Sequence, residues 1–98
     1  MLEITKLLTI STAHVKESTM KLLDKEPNTD TLGLCVYNKA DFGYYIMTDK
    51  NTLQRINTQP DFPEELKNLI ILAVDLNCST LCLDCDCDIL PYLPTYDW

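Results

Sequence analysis

The sequence predicts an α+β fold in one small domain over residues 1–98, and three observations carry that expectation. Segments of β-branched and apolar residues alternate with segments of helical periodicity in the order β-α-β-β-α-β. The second and third strand-like segments lie close enough in sequence to pair as a hairpin. A chain of 98 residues that is 46% hydrophobic can fill one modest core and is too apolar for disorder. The order fits an antiparallel sheet with two helices on one face, ferredoxin-like or related, while other α+β arrangements with the same order stay open.

Each element has its own signal. Leu7-Leu8-Thr9-Ile10 is rich in strand-favouring residues. Ser11-Thr12-Ala13-His14 leads into a helix over 15–25, with Val15, Thr19, Leu22 and Leu23 on its apolar face. Pro27-Asn28-Thr29-Asp30 should stop that helix. Strands over 32–37 and 43–48 follow, joined by the polar Asn38-Lys39-Ala40-Asp41. A short helical turn is suggested around Leu53 and Ile56. Asp61 suits a cap and Pro63 a first turn, and Glu64 favours the helix dipole. Leu66, Leu69, Ile70, Ala73 and Val74 then form a buried stripe that stops near Asn77. A last strand covers 80–84 and is expected to extend toward Ile89. The prolines of 91–98 cannot continue a central strand.

Charge narrows the function classes. Fifteen acids against eight bases leave a net charge of −7, so a basic nucleic-acid-binding face and a membrane-surface helix are both disfavoured. Residues 1–67 carry ten acids and eight bases, whereas residues 68–98 carry Asp75, Asp84, Asp86, Asp88 and Asp97 with no Lys or Arg. The excess is thus concentrated in the last third. The start of the chain shows no signal-peptide pattern, and no apolar run reaches the ~18 residues of a membrane span. Five cysteines are an odd number for a closed disulfide framework, and a cytoplasmic location with reduced thiols is expected.

Cys82-Leu83-Asp84-Cys85-Asp86-Cys87-Asp88 is the most unusual segment. Read with period two, Leu81, Leu83, Cys85, Cys87 and Ile89 share a core face, and Thr80, Cys82, Asp84, Asp86 and Asp88 share the other. On a continuous strand the three aspartates would stand in a row roughly 6.8 Å apart on the solvent face. Such a row either discourages edge aggregation or meets a basic partner. Cys78, Cys82, Cys85 and Cys87 also raise a metal- or redox-responsive alternative, but one short segment lacks the paired-knuckle spacing of zinc sites, and no metal or cofactor is expected.

Other chemistry is thin. An EF-hand reading of Asp84-x-Asp86-x-Asp88 fails because Ile89 stands at the glycine position and Thr95 at the closing glutamate position. A haloacid-dehalogenase reading of the strand ending Asp-x-Asp fails because only ten residues follow Asp88. His14 is the single histidine. It sits beside Ser11 and Thr12, where a hydrogen-bonding role outweighs a catalytic one. Gly33 and Gly43 are the only glycines, too few for a phosphate loop. The chain is therefore read as not an enzyme, with no catalytic residues. Tyr37, Tyr44 and Tyr45 on the hairpin, and Tyr92, Tyr96 and Trp98 on the tail, are candidate interface anchors or, for the tail, a flap over the core.

Ile10-Ser11-Thr12-Ala13-His14-Val15 near the start, and Leu81-Cys82-Leu83-Asp84-Cys85-Asp86 with Leu93-Pro94-Thr95-Tyr96-Asp97-Trp98 at the end, resemble a family of short acidic proteins of unknown function from bacterial plasmids, phages and integrated elements. Lys16 stands where the resemblance leads one to expect a threonine. The resemblance implies a mobile-element context, in which small acidic proteins disable host defences. The expectation is a non-enzymatic inhibitor of antirestriction or anti-CRISPR type, whose partner is a basic nucleic-acid-binding protein or complex of the host rather than nucleic acid or membrane; an accessory protein that binds another basic partner, with no role in defence, is the alternative beside the cysteine-cluster one. Asp84, Asp86 and Asp88 would supply its charge, flanked by Asp75 and Asp97, with Tyr92, Tyr96 and Trp98 as apolar anchors.

Overall fold

The computed structural model describes residues 4–29, 34–48 and 50–97. Along the chain come strand β1 (Leu7–Ser11), a 3-10 turn (Thr12–His14), helix α1 (Glu17–Thr29), strands β2 (Val36–Lys39) and β3 (Gly43–Met47), helices α2 (Lys50–Asn57) and α3 (Glu64–Asp75), and strand β4 (Thr80–Asp84). The α+β class is as expected. Two features of the arrangement differ from expectation. The sheet is mixed, in the order β1-β4-β3-β2, with β1 and β4 parallel and the other two pairs antiparallel. The short turn suggested near Leu53 is a full helix, α2, so three helices rather than two cover the sheet. Local pattern marks a strand but says nothing of its partner's direction. Here two helices, α2 and α3, separate β3 from β4, and β4 lies antiparallel to β3 and parallel to β1.

Period-two alternation sorts the strands into two faces. Ile10, Val36, Tyr44, Ile46, Leu81 and Leu83 join Val15 and Leu23, Ile56, and Leu66, Leu69, Ile70 and Ala73 in one buried cluster. Helices α1, α2 and α3 therefore all pack on the same face. Removing a buried side chain such as Leu83, fully shielded from solvent, typically costs ~2–5 kcal/mol. The opposite face is uncovered by helices and carries the cross-strand row Tyr37, Tyr45, Cys82, Thr9. Cys82 on this open face is nevertheless fully buried, since its row neighbours close over a small side chain.

Several boundaries moved. The 3-10 turn takes up Thr12–His14, and α1 begins at Glu17 and ends at Thr29, beyond the proline expected to stop it. Val15, Thr19 and Leu23 are buried as expected, but Leu22 points outward and Met20 packs against the core in its place. Strand β2 runs on through Asn38 and Lys39, beyond its expected end at residue 37. The expected strand start at Leu32 lies outside the described residues. Helix α3 starts without a side-chain cap, Pro63 holding the cap position and not Asp61.

The largest departure is at β4. It ends at Asp84 and does not extend toward Ile89. The Asp84 side chain accepts the Asp86 N–H through Oδ1 (2.8 Å), and the Cys87 N–H returns to the Asp84 carbonyl (3.2 Å). An aspartate whose carboxylate satisfies the amide two residues on favours a turn over a ladder. Cys85 and Ile89, expected on the core face, are consequently exposed, and Cys87 is half-buried. The continuous row of three aspartates does not form. No described helix is long and apolar enough to cross a membrane.

Candidate functional site

The chemistry-bearing residues gather at one end of the sheet, where β1 and β4 terminate side by side. Three features build this end. The first is a lane across the open face, where Lys39 pairs with Gly43 and Gly43 with Asp84. Cross-strand partners share a face, so Lys39 and Asp84 are separated only by a residue that has no side chain. Lys39 reaches over Gly43 and forms an ion pair with Asp84. Gly43 has φ +156°, and a Cβ there would lie 1.7 Å from the Leu83 carbonyl oxygen. Only glycine admits so close a strand approach.

The pair sets the local titration. Lys39 first, and the Asp86 amide second, hold the Asp84 carboxyl below the usual carboxylate range, while the bond to Asp84 raises Lys39. Burial pushes the Cys82 thiol up despite the nearby Lys39 ammonium. Burial, and then the Asp86 and Asp84 carboxylates, also push Cys85 up. Both shifts suppress the thiolate, the form a nucleophile needs.

The second feature is His14, 2% exposed. Its Nδ1–H donates to the Pro94 carbonyl (2.7 Å), and its Nε2 accepts the Leu90 N–H (2.9 Å). Nε2 faces an amide donor, so the ring is the neutral tautomer protonated at Nδ1. Both nitrogens are committed to the main chain of the tail, leaving neither for acid–base chemistry. The Tyr96 N–H adds a bond to the Ala13 carbonyl (2.9 Å). Residues 90–96 are thereby strapped across the 3-10 turn. A local hydrogen-bonding role is expected for His14 beside Ser11 and Thr12; the ring does hydrogen-bond, but to partners 76 and 80 positions away.

The third feature is a depression of about 510 Å³ beside the hairpin turn, lined by Asp24, Asp41, Phe42, Thr12 and Cys85 among others. The Cys85 N–H bonds the Phe42 carbonyl (2.9 Å), tying the turn after β4 to the hairpin. Asp24, Asp41 and the half-exposed Phe42 were not singled out by sequence. The packing of α1 beside the hairpin, and the hairpin's docking against Cys85, bring them together, and no local pattern encodes it.

The expected partner-binding residues separate accordingly. Asp84 is half-buried and neutralised by Lys39, so it contributes structure and little external field. Asp86 and Asp88 are exposed on the turn. Asp97 is exposed and follows the Tyr96 anchor at this same end. Asp75 closes α3 immediately before the turn into β4, at the other end of that strand and roughly 13 Å away along it. It does not flank the others. Tyr92 is 73% exposed and available as an anchor, whereas Tyr96 is half-buried beneath Lys16, whose Nζ lies 5.7 Å from the ring centroid. Trp98 lies outside the described residues. On the hairpin, Tyr44 belongs to the core, and Tyr37 and Tyr45 lie on the open face.

The four-cysteine set is not assembled. Cys78 sits in the core cluster, Cys82 is buried on the opposite face of the sheet, and Cys85 and Cys87 occupy the turn. Among the described residues, Asp84, Cys85 and Asp86 do bring one potential ligand atom each within 4.8 Å of one another. The Asp84 atoms there are already engaged by Lys39 and the Asp86 amide.

No curated protein and no solved structure is found to match this chain. Residues 7–98 match the C-terminal domain of a family of unknown function, DUF5983, and the chain belongs to that family.

Proposed function

We propose that the protein is a non-enzymatic inhibitor that lays the acidic end of its sheet into a nucleic-acid-binding cleft of a host defence complex, of antirestriction or anti-CRISPR type, in the cytoplasm. One observation carries the reading. Exposed Asp41, Asp86, Asp88 and Asp97 lie on the hairpin turn, the turn after β4 and the tail, the segments that close this end, while Lys39 is paired with Asp84 and Lys16 lies over the Tyr96 ring. A cleft that binds DNA or RNA gains affinity by releasing counterions from phosphates, and fixed carboxylates compete for the same cations. The likeness to short acidic proteins of plasmids, phages and integrated elements adds an associational argument for a defence target.

The test is a protection assay in hosts carrying restriction or CRISPR systems. Joint reversal of Asp86→Lys and Asp88→Lys should reduce protection roughly tenfold or more, since charge complementarity governs encounter and specificity. Asp75→Lys, at the far end, should leave it unchanged. Equal protection by the double variant, or no protection by the parent protein, would sink the reading. Asp84 is left intact because its reversal would disturb the fold.

A further inference from the structure

A second cleft at the same end, about 280 Å³ in volume, lies between the strapped tail and the first turn of α3. It is lined by the apolar Leu69 and Leu93, by Tyr96 and Lys16, and by the polar Glu64, Glu65 and Asn68. We propose that this cleft receives an arginine side chain of a basic partner, its aliphatic stem against Leu69 and Leu93 and its guanidinium between the Tyr96 ring and the Glu64 and Glu65 carboxylates. The proposal deepens the inhibitor reading by naming what the partner inserts, and it rests on that reading for the partner's identity.

Three observations support it. The walls are built, not adventitious: His14 holds the Pro94 carbonyl and the Leu90 amide, and so fixes the tail side. Glu65 is held in place on the other side, its Oε2 accepting the Lys16 N–H (3.0 Å) and the Thr19 hydroxyl (2.5 Å). The Tyr96 ring already attracts a cation, the Lys16 ammonium at 5.7 Å. Lys16 acts as an internal stand-in, occupying the ring with a compact point charge on a flexible stem. A guanidinium is planar, stacks on aromatic rings and forks onto carboxylates, so it fits ring and carboxylates together where an ammonium satisfies one. An anionic ligand would face the Glu64 and Glu65 carboxylates instead.

The cleft can be tested without any partner. Isotope-labelled full-length protein is titrated with N-acetyl-arginine amide, and amide shifts are followed by NMR. Saturable shifts confined to Glu65, Asn68, Leu69 and Tyr96 and their neighbours are expected. The uncharged isostere N-acetyl-citrulline amide should produce none. Tyr96→Leu should weaken the arginine probe roughly threefold or more, and Lys16→Met should tighten it by a similar factor by vacating the ring. Shifts spread over the whole acidic surface, equal binding of citrulline, or weaker binding by Lys16→Met would overturn the proposal. If Tyr96→Leu does not fold, the parent protein and Lys16→Met still decide it. Saturable arginine binding alongside a failed protection assay would retain the cleft and remove the inhibitor reading, and the converse result would do the opposite.

Discussion

The two ends of the sheet are closed by different kinds of contact. Where α3 turns into β4, main-chain groups dominate. The Cys78 N–H reaches the Ala73 carbonyl (2.8 Å), the Ser79 N–H reaches the Lys6 carbonyl (2.9 Å), and Asn77 adopts the left-handed φ of +60° that ends many helices. The Lys6 ammonium and the Thr48 hydroxyl cover the remaining carbonyls of Leu76 and Cys78. At the opposite end, side chains make the decisive contacts: Lys39 with Asp84, Asp84 with the Asp86 amide, and His14 with Pro94 and Leu90. That end also holds the two clefts described above and the exposed Asp41, Asp86, Asp88 and Asp97. A terminus closed mainly by backbone depends less on residue identity. One assembled from side chains can be reshaped by a single substitution, and this is where a ligand surface can be built.

The largest effect that breaks this contrast is expected from Gly43→Ala. The added Cβ would overlap the Leu83 carbonyl at 1.7 Å, forcing β3 from β4 and closing the lane through which Lys39 reaches Asp84. A loss of ~3 kcal/mol or more is expected, within the range of mutations that strain the backbone inside a packed core. Thermal and urea unfolding measure it, and a loss below ~1 kcal/mol would show that the strands yield easily.

A smaller effect is expected from His14→Ala, which leaves the Leu90 amide and Pro94 carbonyl without their partner. Stability should fall by ~1–3 kcal/mol, from the loss of a buried ring and of its two hydrogen bonds to the tail. Hydrogen exchange at the Leu90 and Tyr96 amides should accelerate much more than at the Cys78 and Ser79 amides of the other end. Uniform acceleration at both ends would mean that the strap is no separate unit.

The smallest effect sharpens the electrostatic side of the contrast. Folding depresses the Asp84 pKa, so its contribution is complete above the ordinary aspartate value near ~3.9 and is lost as pH falls through the depressed one. Folding raises Lys39, so its contribution is present below its ordinary value of ~10.4 and disappears as pH rises beyond it. Lys39→Met should therefore flatten the stability–pH profile in both windows. Urea unfolding from pH ~5 to ~2 and from pH ~10 to ~12 reads this out, and an unchanged slope would show that the pair is solvated away.

Much of the architecture was legible locally. Strong periodicity marked α3 and its stripe Leu66, Leu69, Ile70 and Ala73, all buried, because one apolar face can be satisfied only against a core. The hairpin followed from two strand-like segments around a short polar link. The end of β4 was misread because Leu81 to Ile89 alternates as a strand should, while the Asp84 carboxylate captures the Asp86 amide and turns the chain. The clustering of Asp86 and Asp88 was visible as a charge run. The neutralisation of Asp84 was not, since its cation lies 45 residues away across a glycine.

Composition and periodicity thus determined what depends on nearest neighbours along the chain: the α+β class, the helix faces, and an acidic last third without a cation. Tertiary structure alone decided the parallel pairing of β1 with β4, the lane from Lys39 to Asp84, the capture of the tail by His14, and the separation of Asp75 from the other aspartates. The physical reason is range. Helical and strand periodicity are satisfied within a few residues, whereas ion pairs, ring-to-backbone bonds and clefts join groups whose sequence separation carries no local signal.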